Sequence, residues 1–364
     1  MQDKKRTLTA KAWVKIFISF FVCFVVLMAT MVAVIDPFFH YHKPLGAFYY
    51  TLDNERYQNN GITRHFEYNA LITGTSMTQN FKTSQAQELW GRDFIKVCYS
   101  GGMFKEINDN IELALETHDV DVVVRSLDGS YLLVDKDAQR DDLGTYPEYL
   151  YDSNLFNDVN YLLNSTVIGG YCLPMLFKAL IGGGSGITSF DEYSNWMGQA
   201  TLGTVSVLGD KTSFEAPDYE ITSLTEDEIQ TLTDTVKQNI TDTAAAYPDT
   251  QFYYFFPPYS AAYWGGSWEK GTMLKEMECY RLAASLILPY ENIHLFAFDD
   301  MTDITCNLDN YRDVSHYSGD VNDMILEMMA ADENRLTLDT YNEYYDEVEQ
   351  FYKNYNFNKL IPED

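Results

Sequence analysis

The chain has 364 residues, with 25 basic against 54 acidic, a formal net charge of −29, and 46% apolar residues that include 28 Tyr and 22 Phe. So large an excess of carboxylates repels nucleic acid and anionic lipid headgroups, which excludes polyanion binding away from a local basic pocket. The length suffices to bury one elaborated domain or two small ones.

Residues 1–15 form a basic tail carrying Lys4, Lys5, Arg6, Lys11 and Lys15. Residues 16–35 follow as twenty positions without a charge. At about 1.5 Å per residue such a helix crosses the hydrocarbon core of a bilayer. A cleaved signal peptide is the competing reading. The run exceeds the usual apolar region of about 7–15 residues, and no small-x-small site precedes Asp36, so a retained anchor is expected. The flanking charges predict a cytosolic N-terminus and an extracytoplasmic domain at a cell membrane, residues 36–364. Five basic residues and one acid precede position 36, leaving 20 basic and 53 acidic beyond it, a net charge of −33.

Asp36–Pro44 is an aromatic, proline-bounded collar suited to a bilayer interface. Its His40 and His42 have no third metal ligand nearby and read as interfacial side chains. Five apolar runs then predict strands: Ala70–Thr73, Phe94–Cys98, Asp121–Arg125, Gln251–Phe256 and Ile293–Phe298. Continuous apolar character suits strands buried on both faces of a parallel sheet. Helices are predicted over Phe104–Thr117, from a Thr225/Glu228 capping box to about Ala246, over Trp268–Leu288, and over Val321–Met329. Alternating strands and helices predict a doubly wound α/β fold. Residues 137–222 break that rhythm and read as an insertion. Its glycine run, Gly182–Gly186, lacks the Gly-Lys-Ser/Thr of a phosphate loop and reads as flexible. The five cysteines contain no Cys-x-x-Cys, so no zinc cage or redox pair is predicted. The four beyond the span could form two disulfides.

Two short motifs fall at strand ends, where open α/β sheets bind ligands, and a third lies before the last helix. Gly74-Thr75-Ser76-Met77 follows the first strand, Tyr99-Ser100-Gly101-Gly102 the second, and Asp313-Val314-Ser315-His316 precedes the last helix. Ser76 needs a base to become nucleophilic, and an imidazole needs a carboxylate to fix its tautomer. His316 and Asp313 supply both. The amides of Ser76, Gly101 and Gly102 are candidate oxyanion donors. Taken singly, Ser76 could be a helix cap and Asp-x-x-His a surface turn; together they point to acyl transfer or ester hydrolysis. Arg125, Asp128, Tyr259 and Trp264 are candidates to line a substrate cleft, with sugar stacking weighed against core packing for Trp264. No metal or cofactor is called for.

The order of these motifs resembles the SGNH (GDSL-like) hydrolase superfamily. With the N-terminal span, the likeness is to its membrane-anchored branch, which includes the teichoic-acid D-alanine transfer protein and the alginate O-acetylation proteins. The resemblance implies a flavodoxin-like three-layer α/β/α domain, with Ser76 as nucleophile, His316 as general base and acid, and Asp313 as its orienting carboxylate. Gly101 or Gly102 would be an oxyanion donor. It further implies transfer or removal of acetyl or D-alanyl groups on a cell-envelope glycan, with a multi-span membrane-bound O-acyltransferase as partner. One departure stands out. The superfamily's third block carries Gly-x-Asn, its Asn an added oxyanion donor, where this chain has Ser126-Leu127-Asp128-Gly129. A non-catalytic scaffold or glycan-binding subunit that retains the fold is therefore the alternative reading.

Overall fold

The computed structural model describes residues 9–140, 142 and 146–362. The chain divides into two compact units: residues 1–52, 56–65 and 147–188, and residues 53–55, 66–146 and 189–364. The expected insertion is thereby split, since 147–188 belong with the N-terminal helix and 189–222 with the sheet.

In the first unit, helix Ala10–Ile35 is long and apolar enough to cross a membrane. It ends at Asp36, which adopts a left-handed conformation (φ 47°) and is fully buried. The Asp36 carboxylate accepts hydrogen bonds from the N–H groups of His40 (3.0 Å), Tyr41 (2.8 Å) and His42 (3.0 Å) and from the Tyr161 hydroxyl (2.7 Å). A buried carboxylate with this many donors is compensated for its lost hydration. The collar is thus folded back onto the helix end. His40 and Tyr41 are further tied to Asp158 (3.3 and 2.9 Å). Among the described residues there is no cluster of three or more metal-ligating side chains.

The second unit is built on a six-stranded sheet. Five strands are parallel: β1 (Ala70–Gly74), β2 (Phe94–Cys98), β3 (Val122–Ser126), β4 (Gln251–Phe256) and β5 (Ile293–Ala297), ordered β2-β1-β3-β4-β5. A two-residue β6 (Arg335–Leu336) adds antiparallel to β5. Each parallel strand begins and ends within a residue of its predicted run. Strand periodicity sends alternate side chains to opposite faces. Ala70, Ile72, Val122, Val124, Phe255 and Phe296 pack with helices Thr83–Trp90 and Gly319–Ala330. On the other face, Arg125 meets Phe104 and Asn239, and Phe256 meets Tyr280. Helices Phe104–Thr117, Glu226–Ala246 and Met273–Ile287 therefore form the third layer. Each fully buried large aliphatic or aromatic side chain contributes roughly 1.5–3 kcal/mol, which is why these runs tolerate no polar interruption except one that is paired.

The helix from Thr225 is capped as predicted: Glu228 N–H donates to Thr225 Oγ1 (3.3 Å), and Thr225 N–H to Glu228 Oε2 (2.9 Å). It carries a wide turn at Lys237–Thr241. The single helix expected over Trp268–Leu288 is instead two, Ala261–Glu269 and Met273–Ile287. Gly271 makes the break at φ 68°, where a Cβ would strike the Tyr219 carbonyl. No disulfide forms among the described cysteines.

Candidate active site

β1 ends at Gly74 with φ 131°, and a Cβ there would collide with Ser126 Oγ. Only glycine lets the chain turn so closely past β3. The next residue, Thr75, donates its hydroxyl to Asp128 Oδ2 (2.8 Å), and its N–H to Ser126 Oγ (3.3 Å). Thr75 Oγ1 also accepts from Met77 N–H (3.3 Å), which caps the single 3-10 turn Ser76–Thr78. This turn lifts Ser76 out of the sheet. Beneath it, fully buried Lys96 on β2 donates to the carbonyls of Gln79 (2.5 Å) and Phe81 (2.9 Å). Burial pulls the Lys96 ammonium down to about 8.

Ser76 Oγ lies 2.7 Å from His316 Nε2. His316 Nδ1 lies 2.9 and 2.8 Å from the two oxygens of Asp313. An ionised carboxylate only accepts, so Nδ1 carries the proton and Nε2 is free to accept from the serine hydroxyl. Asp313 is itself held by the N–H groups of Ser315 (3.0 Å) and His316 (2.9 Å) and by Ser315 Oγ (3.1 Å). Burial alone would raise its pKa. The hydrogen bonds from the His316 ring and from the loop amides outweigh burial and hold the carboxyl well below the usual carboxylate range. The loop is pinned at Ser318, which caps helix Gly319–Ala330.

Of the candidate oxyanion donors, the Gly102 N–H is spent on the Tyr99 carbonyl (2.7 Å). Among the described residues no hydrogen bond engages the N–H of Ser76 or Gly101. Gly101 adopts φ 56°, and the Arg140 guanidinium occupies the place a Cβ would take. Arg140 Nη1 donates to the Ser100 carbonyl (2.9 Å), and the Ser100 N–H donates to Glu55 (2.6 Å). Asp128 stands where the resemblance expects an asparagine. It is buried, and its oxygens accept from Thr75, from Ser126 Oγ (3.2 Å) and from the Tyr259 hydroxyl (3.2 Å). Burial pushes its pKa up against those three bonds. Asp128 and Tyr259 thus brace the serine turn from behind.

Arg125 and Trp264 do not join this group. Arg125, the next-to-last residue of β3, lies on the opposite face, fully buried between the Phe104 and Tyr254 rings, and donates to the carbonyls of Asn239 (2.7 Å) and Phe104 (3.3 Å). Trp264 is core, 1% exposed, with Nε1 donating to Asp299 (3.3 Å). The side chain that does abut the imidazole is Trp196, edge-on at 5.5 Å between centroids, with the exposed Arg312 guanidinium 4.9 Å over its ring. The backbone N–H of Trp196 donates to Asn80 Oδ1 (3.1 Å). The same segment reaches the Asp313 loop through Gly203 N–H to Tyr311 O (2.9 Å) and Ser206 Oγ to Arg312 O (2.6 Å). An aperiodic stretch of sequence gave no sign of this contact.

No family model matches this sequence, and no curated protein matches it. A solved structure from Streptococcus pneumonia, provisionally described as a platelet activating factor, is similar at 11% identity and a TM-score of 0.36, over 80% of this chain and 90% of that one. A likeness that slight supports no inference about fold or activity. The comparisons therefore assign the chain to no family.

Proposed function

We propose that the chain is an SGNH-type serine acyltransferase or esterase, held at a cell membrane by its N-terminal helix. The observation that carries this reading is the continuous path Ser76 Oγ–His316 Nε2, His316 Nδ1–Asp313, each step within 3 Å. The strand order β2-β1-β3-β4-β5 supports it as well, because that flavodoxin-like order has its switch point beside β1, whose end carries Ser76. Ser76 Oγ would attack an acyl carbon and pass its proton to His316 Nε2. The resulting imidazolium is stabilised by Asp313, and the oxyanion by the amides of Ser76 and Gly101. His316 then returns the proton to the leaving group, and a hydroxyl or water repeats the sequence in reverse to release the acyl group. The absent asparagine removes one donor, which costs on the order of 3–4 kcal/mol of transition-state stabilisation. That favours a slow, donor-specific enzyme over a general lipase. Acetyl or D-alanyl groups on a cell-envelope glycan, a multi-span O-acyltransferase partner and a cytosolic N-terminus come from the resemblance and the flanking charges.

Asp128 and the occupied Gly102 amide favour one alternative, a scaffold or glycan-binding subunit that does no chemistry. Intact-mass analysis of the full chain in detergent, after a fluorophosphonate and separately an activated acetyl ester, separates the two. The enzyme reading expects one adduct, on Ser76, lost in Ser76→Ala and His316→Ala. A folded chain that takes up neither reagent puts the scaffold reading first.

A further inference from the structure

Outside the N-terminal helix, half of the large apolar side chains exposed among the described residues fall within Leu155–Ile181. They include Phe156 at 94% exposure, Leu180 at 76% and Phe177 at 64%, with Leu155, Val159 and Ile181 beside them in sequence. Scattered surface hydrophobics are ordinary, but a patch of this density marks a surface that is covered by something. Charge tells the same story. The chain beyond Ile35 carries 53 acidic residues, yet this segment holds one, Asp158, which is buried and bonded to His40 and Tyr41. Its one cation, Lys178, lies with Nζ 3.8 Å over the Tyr49 ring. The negative charge that covers the rest of the chain is missing here.

Within this unit the segment has a fixed relation to the N-terminal helix. Val159–Leu162 and Val167–Cys172 pack against that helix, whose buried positions are Val32 and Ile35 in its last turns. The same turns are bonded to the collar through Ala33 O, which faces His42 Nε2 (3.2 Å), and to the following segment through Ile35 O, which accepts from the Tyr50 hydroxyl (2.8 Å). Lys15 sets the other limit of the uncharged run, so a membrane-spanning 16–35 uses all of its roughly 30 Å within hydrocarbon. Its final two turns then lie in the acyl chains of the leaflet at its C-terminal end, and whatever wraps those turns lies at the same depth. The apolar stretch Val167–Leu180 is too short to cross.

We propose that Leu155–Ile181 is a second membrane element, lying in the leaflet at the C-terminal end of the N-terminal helix with its apolar side chains among lipid acyl chains. Lys178 extends its stem along that apolar surface and keeps its ammonium at the interface. The inference rests on the N-terminal helix spanning the bilayer, and the experiment separates the two. The full chain is reconstituted at one copy per lipid nanodisc, with phosphatidylcholine that is either unmodified or brominated on its acyl chains. Emission gained in Phe177→Trp, and independently in Phe156→Trp, is read against the parent; Val26→Trp reports on the anchor. The expected result is blue-shifted added emission at both positions that loses most of its intensity in brominated lipid. Quenching in single-copy discs also excludes a second chain as the cover. Unquenched, water-like emission at 156 and 177 with Val26→Trp quenched overturns the inference and leaves the anchor standing. If Val26→Trp is unquenched too, the anchor falls with it.

Discussion

Asp128 and Asp299 are both carboxyls removed from water, and they differ in what compensates them. Asp128 collects three hydroxyl donors. Asn at that position keeps an oxygen for Thr75 and Ser126 and offers an amide to Tyr259, whose hydroxyl can rotate to accept. Ala strands all three hydroxyls, and a buried unsatisfied group costs about 1–3 kcal/mol. Urea unfolding should therefore place Asp128→Asn near the parent and Asp128→Ala below it by at least that much; equal midpoints would contradict the bracing role. Asp299 has Trp264 Nε1 on its carboxylate, and burial pushes its carboxyl up to about 8. An unfolded Asp titrates near about 3.9, so between those values the folded chain retains a proton that the unfolded chain has lost. The stability linked to this group is complete below about pH 4 and drains away as pH rises toward about 8. Asp299→Asn keeps the acceptor for Trp264 and removes the titration. Its melting temperature should exceed the parent's by a margin that widens from about pH 5 to about pH 8. A constant margin would show that the carboxyl titrates normally.

At the scale of elements, the turn that carries Ser76 depends on Gly74 at the end of β1. Gly74→Ala forces a Cβ into Ser126 Oγ at φ 131°. Strain of that kind costs on the order of 1–3 kcal/mol, and here it falls on the turn that aims the serine. Fluorophosphonate labelling should drop sharply in Gly74→Ala and be unchanged in Gly91→Ala, where φ is 64° but nothing lies within 4 Å of the added carbon. Comparable labelling in both would show that turn geometry is not limiting. The strands were readable because a two-sided sheet demands unbroken apolar runs, and Thr225/Glu228 because a capping box is local in sequence. The place of Ser76 was readable for the same reason, since it follows a parallel strand's end, and the Asp313–His316 loop was readable as the turn that enters the last predicted helix. Arg125 was misplaced through parity: it alternates with Val124 and Ser126, so it faces away from the serine turn. Trp196 and the Asp128 brace were hidden because they depend on tertiary contacts of an aperiodic segment and of three hydroxyls far apart in sequence.

For the whole molecule, the −33 net charge beyond the N-terminal helix sets the electrostatic background. Ion pairs such as Lys82–Asp323 and Arg281–Asp346 lie at the surface, where a pair contributes about 0–1 kcal/mol. Self-repulsion of the unpaired carboxylates should outweigh them. The Debye length shrinks from about 30 Å at 0.01 M salt to about 8 Å at 0.15 M, so thermal unfolding should move to higher temperature across that range. A fall would mean that the pairs, and not the excess charge, dominate.

The indole resting on His316 gives the site an optical voice. A protonated imidazole accepts electron density from an excited indole and dims it, whereas a neutral one does so weakly. The emission owed to Trp196, taken as parent minus Trp196→Phe, should therefore depend on the imidazole beside it and change in His316→Ala. A signal unchanged by that substitution would mean that the two rings part in solution. If the signal follows the imidazole, the pairing of His316 with Ser76 can be followed in solution without a label and without knowing any natural substrate.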